Sequence, residues 1–162
     1  MSRASYRPRT RYQVHVRSTR ADRALHACAR RAAERTLSVT DTPSGELTVV
    51  LAGEEEVRSL NRRFSGLDRA TDVLSFPSGV VDPDTARVYH GDVVIAVPVA
   101  RRQAARAGHS LAEEVQLLVI HGVLHLRGFD HGGSAERRRM WSIQRSIQAD
   151  LRKAELPDKE KR

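Results

Sequence analysis

The run Leu47-Thr48-Val49-Val50-Leu51-Ala52, followed at once by Gly53-Glu54-Glu55-Glu56, decides the fold. It is too short for a buried helix and almost unbroken in apolar character, the pattern of a strand covered on both faces of a sheet. The three glutamates behind it suit the positive end of a helix, so the strand feeds directly into one. Upstream, Tyr12-Gln13-Val14-His15-Val16 alternates as a strand. Asp22 can cap a helix whose apolar residues Ala24, Leu25, Cys28, Ala32 and Leu37 fall at helical spacing, and Pro43-Ser44-Gly45 breaks it. Downstream, the acidic helix ends near Phe64 to Gly66, a short strand Asp72 to Phe76 stops at Pro77, and a turn-rich stretch with Gly79, Asp82, Pro83 and Asp84 leads to a strand from Asp92 to Val97.

Strand-helix-strand thus occurs twice, and both crossovers are long enough to join parallel neighbours. The last connection has no helical pattern, so the final strand is expected to pair antiparallel. The expected fold is α+β: a single domain with a four-stranded mixed sheet, three strands parallel and one antiparallel, packed with about five helices. Beyond Pro98 the pattern is helical. One helix covers Val99 to Ala107 and ends at Gly108; Ser110-Leu111-Ala112-Glu113 forms a capping box for a strongly apolar helix through Val115, Leu117, Leu118, Val119 and Ile120. Residues 1–11 read as a basic tail, 12–152 as the domain and 153–162 as a charged tail.

The chain has 162 residues and a formal charge of +8, with a sequence pI of about 10.7. Of its 28 basic residues only Lys153, Lys159 and Lys161 are lysines. That surplus favours a polyanionic partner, nucleic acid before a membrane surface. The longest apolar stretch, Val93 to Ala100, contains Pro98 and falls far short of the about 20 residues a membrane helix needs. The only cysteine, Cys28, has no disulfide or thiolate-zinc partner and reads as a small buried residue; a reducing, cytoplasmic setting is expected.

The chemistry lies in His121-Gly122-Val123-Leu124-His125-Leu126-Arg127-Gly128-Phe129-Asp130-His131. Residues four apart on a helix share a face, so His121 and His125 can aim at one cation. Gly128 can end the helix in a left-handed conformation and let His131 swing back as a third ligand. Three neutral imidazoles with an open fourth position are the donor set of catalytic zinc, one ion per chain. The spacing matches a zinc-protease pattern except at its second position, where the glutamate that would act as general base is replaced by Gly122. That argues against a zinc amide hydrolase, while the same metal could still polarise a phosphoryl oxygen or supply a hydroxide. His15, His26, His90 and His109 are scattered and read as structural or solvated.

Three separated motifs in order, Leu60-Asn61 through Thr71-Asp72-Val73-Leu74-Ser75-Phe76-Pro77, Gly91-Asp92-Val93-Val94-Ile95 and the histidine segment, resemble the YbeY family of bacterial endoribonucleases and ribosomal RNA maturation factors. The resemblance implies a single-strand-specific, metal-dependent endoribonuclease acting in rRNA processing, notably 3′-end maturation of the small-subunit (16S) RNA, and in ribosome quality control. It implies zinc on His121, His125 and His131, and single-stranded RNA or rRNA of the small ribosomal subunit as partner, with neither membrane nor DNA. The chain departs from the family at Ser65, where an arginine usually follows the aromatic residue, here Phe64, and at Ala70 in place of a common proline.

Arg62, Arg63 and Arg69 crowd around that gap and are the candidates to take over its phosphate contact. The group that moves the proton is not evident. Asp130, beside His131, is a candidate base or an orienting partner of the imidazole; Asp92, Thr71 and Ser75 are further polar candidates for the cleft. A second reading is a non-catalytic ribosome-assembly factor in which zinc clamps the helix end.

Overall fold

The computed structural model describes residues 10–20, 22–130 and 132–155. The apolar run that opens the sequence argument becomes an interior strand. β1 (Tyr12–Ser18), β2 (Gly45–Ala52), β3 (Val73–Val81) and β4 (Val88–Ala96) form one sheet in the order β1-β2-β4-β3. The helices are α1 (Arg23–Val39), α2 (Glu54–Ser65), α3 (Val97–Ala107), α4 (Leu111–Leu126) and α5 (Ser134–Glu155). Strand alternation sends Leu47, Val49 and Leu51 of β2, with Val93 and Ile95 of β4, into the main core with α1, α4 and α5. The opposite face carries a smaller cluster in which Ala52, Val94 and Ala96 meet Val57 of α2.

The sheet has the expected three parallel strands and one antiparallel strand, but the odd strand is β3 rather than the last. β1 pairs parallel with β2, β2 pairs parallel with β4, and β3 pairs antiparallel with β4 at the edge. The connection after β2 explains the difference. α2 ends at Gly66 in a left-handed conformation, and the chain then folds back: Arg58 binds Asp68, and Asn61 donates its amide to the Arg69 carbonyl at 2.9 Å. The chain therefore re-enters at the end of the sheet it had just left, with Val73 opposite Ile95, which itself pairs with Leu51. A strand starting there must run backwards.

Pro77 does not stop β3, which continues to Val81. It is accommodated because β3 is an edge strand and its ladder shifts register between Pro77 and Val80. Opposite it, Gly91 holds φ at +126°, and a Cβ there would lie 2.2 Å from the Phe76 carbonyl oxygen, so no larger residue fits. α3 starts at Val97, earlier than expected, because Pro98 sits in the first turn, where its missing N–H goes unneeded.

α5 runs on through Lys153, Ala154 and Glu155, past the expected domain limit, and the Glu155 carboxylate accepts from Arg31 and Gln116. At the other end Arg11 binds Asp41. Residues 1–9 and 156–162 of the expected tails lie outside the described residues. Cys28 is buried, with its thiol toward the Ala112 carbonyl, and burial pushes its pKa up to about 11. Among the described residues no helix is long and apolar enough to cross a membrane.

Candidate metal centre

Both ends of α4 are fixed by local chemistry. At its start the Ser110 hydroxyl accepts from the Glu113 amide and the Glu113 carboxylate accepts from the Ser110 amide, a complete capping box. At its end the Phe129 amide donates to the Leu124 carbonyl and the Gly128 amide to the His125 carbonyl, with Gly128 at φ +83°. This paired arrangement is a Schellman motif, and Phe129 completes it by packing against the main core. The turn directs the chain off the helix directly behind the second histidine.

On that last stretch of α4, His121 and His125 stand one turn apart and half-buried. Their Nε2 atoms are 3.0 Å apart, with ring centroids at 4.6 Å and planes at 73°. Two ligands of a tetrahedral zinc, each at about 2.0–2.1 Å, stand about 3.3–3.4 Å apart; the two imidazole nitrogens, within hydrogen-bond distance of each other at 3.0 Å, would part by a few tenths of an ångström to share a metal. His131 lies outside the described residues. Among the described residues no group of three or more His, Cys, Asp or Glu is placed to hold a metal ion.

Gly122, between the histidines, lies close against the sheet. A Cβ there would stand 2.5 Å from Val93 Cγ1 and 3.2 Å from Ser75 Oγ, and Ser75 donates its hydroxyl proton to the Gly122 carbonyl at 2.9 Å. The position that carries the general base in zinc proteases is thus filled by the sheet, which has no room there for a carboxylate side chain.

The profile of the family Endoribonuclease YbeY matches residues 10–152. This chain belongs to the YbeY family. The YbeY endoribonuclease of Thermobifida fusca is 44% identical over 117 residues, covering 69% of this chain and 76% of that protein. That of Aquifex aeolicus is 40% identical over 123 residues, covering 75% and 81%. That of Corynebacterium kroppenstedtii is 39% identical over 116 residues, covering 67% of this chain but only 57% of the longer relative. The solution structure of a Thermotoga maritima protein shares the fold, with a TM-score of 0.57 at 22% identity over 90% of this chain and 97% of that one.

Within this YbeY fold the other candidates separate. Ser75 is at the histidine face through Gly122. Asp92 instead accepts from the Tyr89 hydroxyl, whose oxygen in turn accepts from the Thr48 hydroxyl, and Thr71 pairs with Asp72. Asp130 is exposed, in the segment between the Schellman turn and α5. The scattered histidines have structural partners: His15 meets Glu46, His26 meets Ser18, and His109 meets Glu114. His90 donates to the Pro43 carbonyl, and burial holds its pKa below the ordinary histidine value.

The arginines around the family departure lie on α2 and in the segment behind it, near Phe64. Neighbouring residues of β3 point to opposite sides, so Ser75 faces α4 while Phe76 packs with the α2 cluster and meets the Phe64 ring edge-on at 5.1 Å. Arg62, Arg63 and Arg69 are exposed, and Arg63 stacks over the Phe64 ring. The α5 arginines and Trp141 are a feature the motif reading passed over. Their signal is helical spacing rather than a metal pattern.

Proposed function

We propose that this protein is a single-strand-specific, zinc-dependent endoribonuclease that processes ribosomal RNA, notably the 3′ end of the small-subunit (16S) RNA, and serves ribosome quality control in the cytoplasm. One zinc per chain would be held by His121, His125 and His131. The observation that carries the proposal is the convergence of the His121 and His125 Nε2 atoms at 3.0 Å beside a Gly122 with no space for a protease base. Membership of the YbeY family and the +8 charge support it from two other sides.

Bound zinc supplies Lewis-acid stabilisation of charge on a phosphoryl oxygen. The chain's own residues do the rest. His121 and His125 offer neutral imidazole nitrogens from one rigid helix face, and Ser75 locks that helix to the edge strand. Asp130 is the adjacent acid, able to orient His131 or accept a proton from water. Arg62, Arg63 and Arg69, exposed cations near the family departure at Ser65, would bind phosphates of the RNA strand.

Cleavage of single-stranded RNA and of a peptide by the wild-type protein and by His121→Ala tests the proposal. It expects RNA cleavage that the substitution abolishes, and no peptide cleavage. RNA binding without cleavage would favour the assembly-factor reading, and peptide cleavage the amide-hydrolase reading. Equal residual RNA cleavage in both proteins would expose a contaminating nuclease and overturn the proposal.

A further inference from the structure

α5 packs into the core through Met140, Ile147 and Leu151, and its opposite side is solvent. Arg137, Trp141, Arg145, Gln148 and Arg152 follow at spacings of four and three and so lie in one stripe, with Arg138 beside Trp141 and Arg145. From Arg137 to Arg152 the stripe extends about 22 Å along the axis.

Trp141 is the only tryptophan of the chain and is 48% exposed. Arg137 stands with its guanidinium carbon 6.0 Å from the ring centroid, at the outer limit of a cation–π contact, so it flanks the indole without covering it. Arg137, Arg138 and Arg145 are exposed and form no ion pair among the described residues; Arg152 reaches Glu113 at 3.7 Å. The acid Asp150 is turned away and bound to Arg35 of α1. The helix follows closely on the candidate metal segment: α5 starts at Ser134, behind the turn that follows His125, and Arg139 on its first turns stacks over Phe129 of that turn at 5.4 Å.

We infer that this flank of α5 is a binding track for single-stranded RNA, in which an unpaired base stacks on Trp141 while Arg137, Arg138 and Arg145 hold the phosphates on either side of it. An exposed flat aromatic ring among unneutralised arginines matches the two parts of a nucleotide, and a base inside a duplex has no face free to stack. A purely acidic protein segment would use the arginines and leave the indole idle. The track leads a strand toward His121 and His125 from the α5 side. The inference rests on the nuclease reading in taking RNA as the polymer, and binding is measured apart from cleavage.

The lone tryptophan is its own probe. A hydrolysis-resistant 2′-O-methyl oligoadenylate titrated into the full-length protein should quench Trp141 fluorescence saturably, whereas a duplex of the same length or polyglutamate should not. Trp141→Ala should weaken binding about tenfold, as expected for loss of one stacked base, and Trp141→Phe should keep most of the affinity. Arg138→Gln with Arg145→Gln should reduce the slope of log K against log salt by about 1.4, about 0.7 per lost phosphate contact on a single strand. Unchanged fluorescence at saturation, unchanged affinity in Trp141→Ala, or equal quenching by duplex or polyglutamate overturns the inference. Cleavage with a silent tryptophan removes the track alone; quenching without cleavage removes the nuclease reading alone.

Discussion

Ser75 donates its hydroxyl proton to the Gly122 carbonyl at 2.9 Å, pinning the edge strand to the helix that carries two of the three candidate metal ligands, His121 and His125. The contact exists because Gly122 lets α4 settle on Val93 and Ser75 with no side chain between them. The spacing of the histidines and the packing of the core are therefore set at the same position.

Gly122→Ala should destabilise the protein by about 1–3 kcal/mol, the usual cost of forcing an extra group into a packed core. Val93 Cγ1 would stand 2.5 Å from the new Cβ, and a β-branched side chain has few rotamers by which to retreat. Gly122→Glu, which completes the protease pattern, should lower stability further and gain no peptidase activity. Denaturant melts and a peptide assay check both; a stable Gly122→Glu with peptidase activity would show that the helix can move off the sheet.

His90 should weaken the fold as pH falls. Burial holds its folded pKa below the ordinary 6.5, with the nearby charge of Arg127 acting in the same direction and the Pro43 hydrogen bond opposing. The unfolded chain then binds a proton that the native state resists. The stability due to neutral His90 is fully present above pH 6.5 and is lost as pH drops from there toward the folded pKa. His90→Gln keeps a donor for the Pro43 carbonyl without titrating, so its unfolding free energy should fall less than the wild type's between pH 7 and pH 5. Parallel pH profiles would contradict this.

Cys28 should resist alkylation. Its thiol is buried and its pKa is pushed up to about 11, so little thiolate exists at pH 8 and reagent cannot reach it. Iodoacetamide should label the native protein only at the rate of opening or unfolding, and rapidly in denaturant. Prompt labelling of the native protein would show that the α1–α4 contact opens locally.

How much of this was legible in the sequence depends on whether a signal was local. Ser110 and Glu113 carry their capping chemistry within four residues, and Gly128 follows its helix directly, so both ends of α4 were readable. The direction of β3 was not, because it depends on Asn61 reaching the Arg69 carbonyl and on Arg58 reaching Asp68, contacts that reverse the chain after α2. Pro77 misled for a related reason: a proline ends an interior strand but is tolerated on an edge, and edge position is a property of the whole sheet. At the site, His121 and His125 stand one helical turn apart with their Nε2 atoms at 3.0 Å, a placement that helical spacing alone dictates.

The central claim is that a metal held at the histidine segment makes this chain a ribonuclease, and metal reconstitution tests it most directly. Protein stripped of metal by a chelator and then titrated with zinc is assayed for cleavage of single-stranded RNA, with His125→Ala alongside. The account predicts no cleavage by the stripped protein, a rise that saturates near one zinc per chain, and no recovery in His125→Ala. Full cleavage by metal-free protein, or equal recovery in His125→Ala, would contradict it.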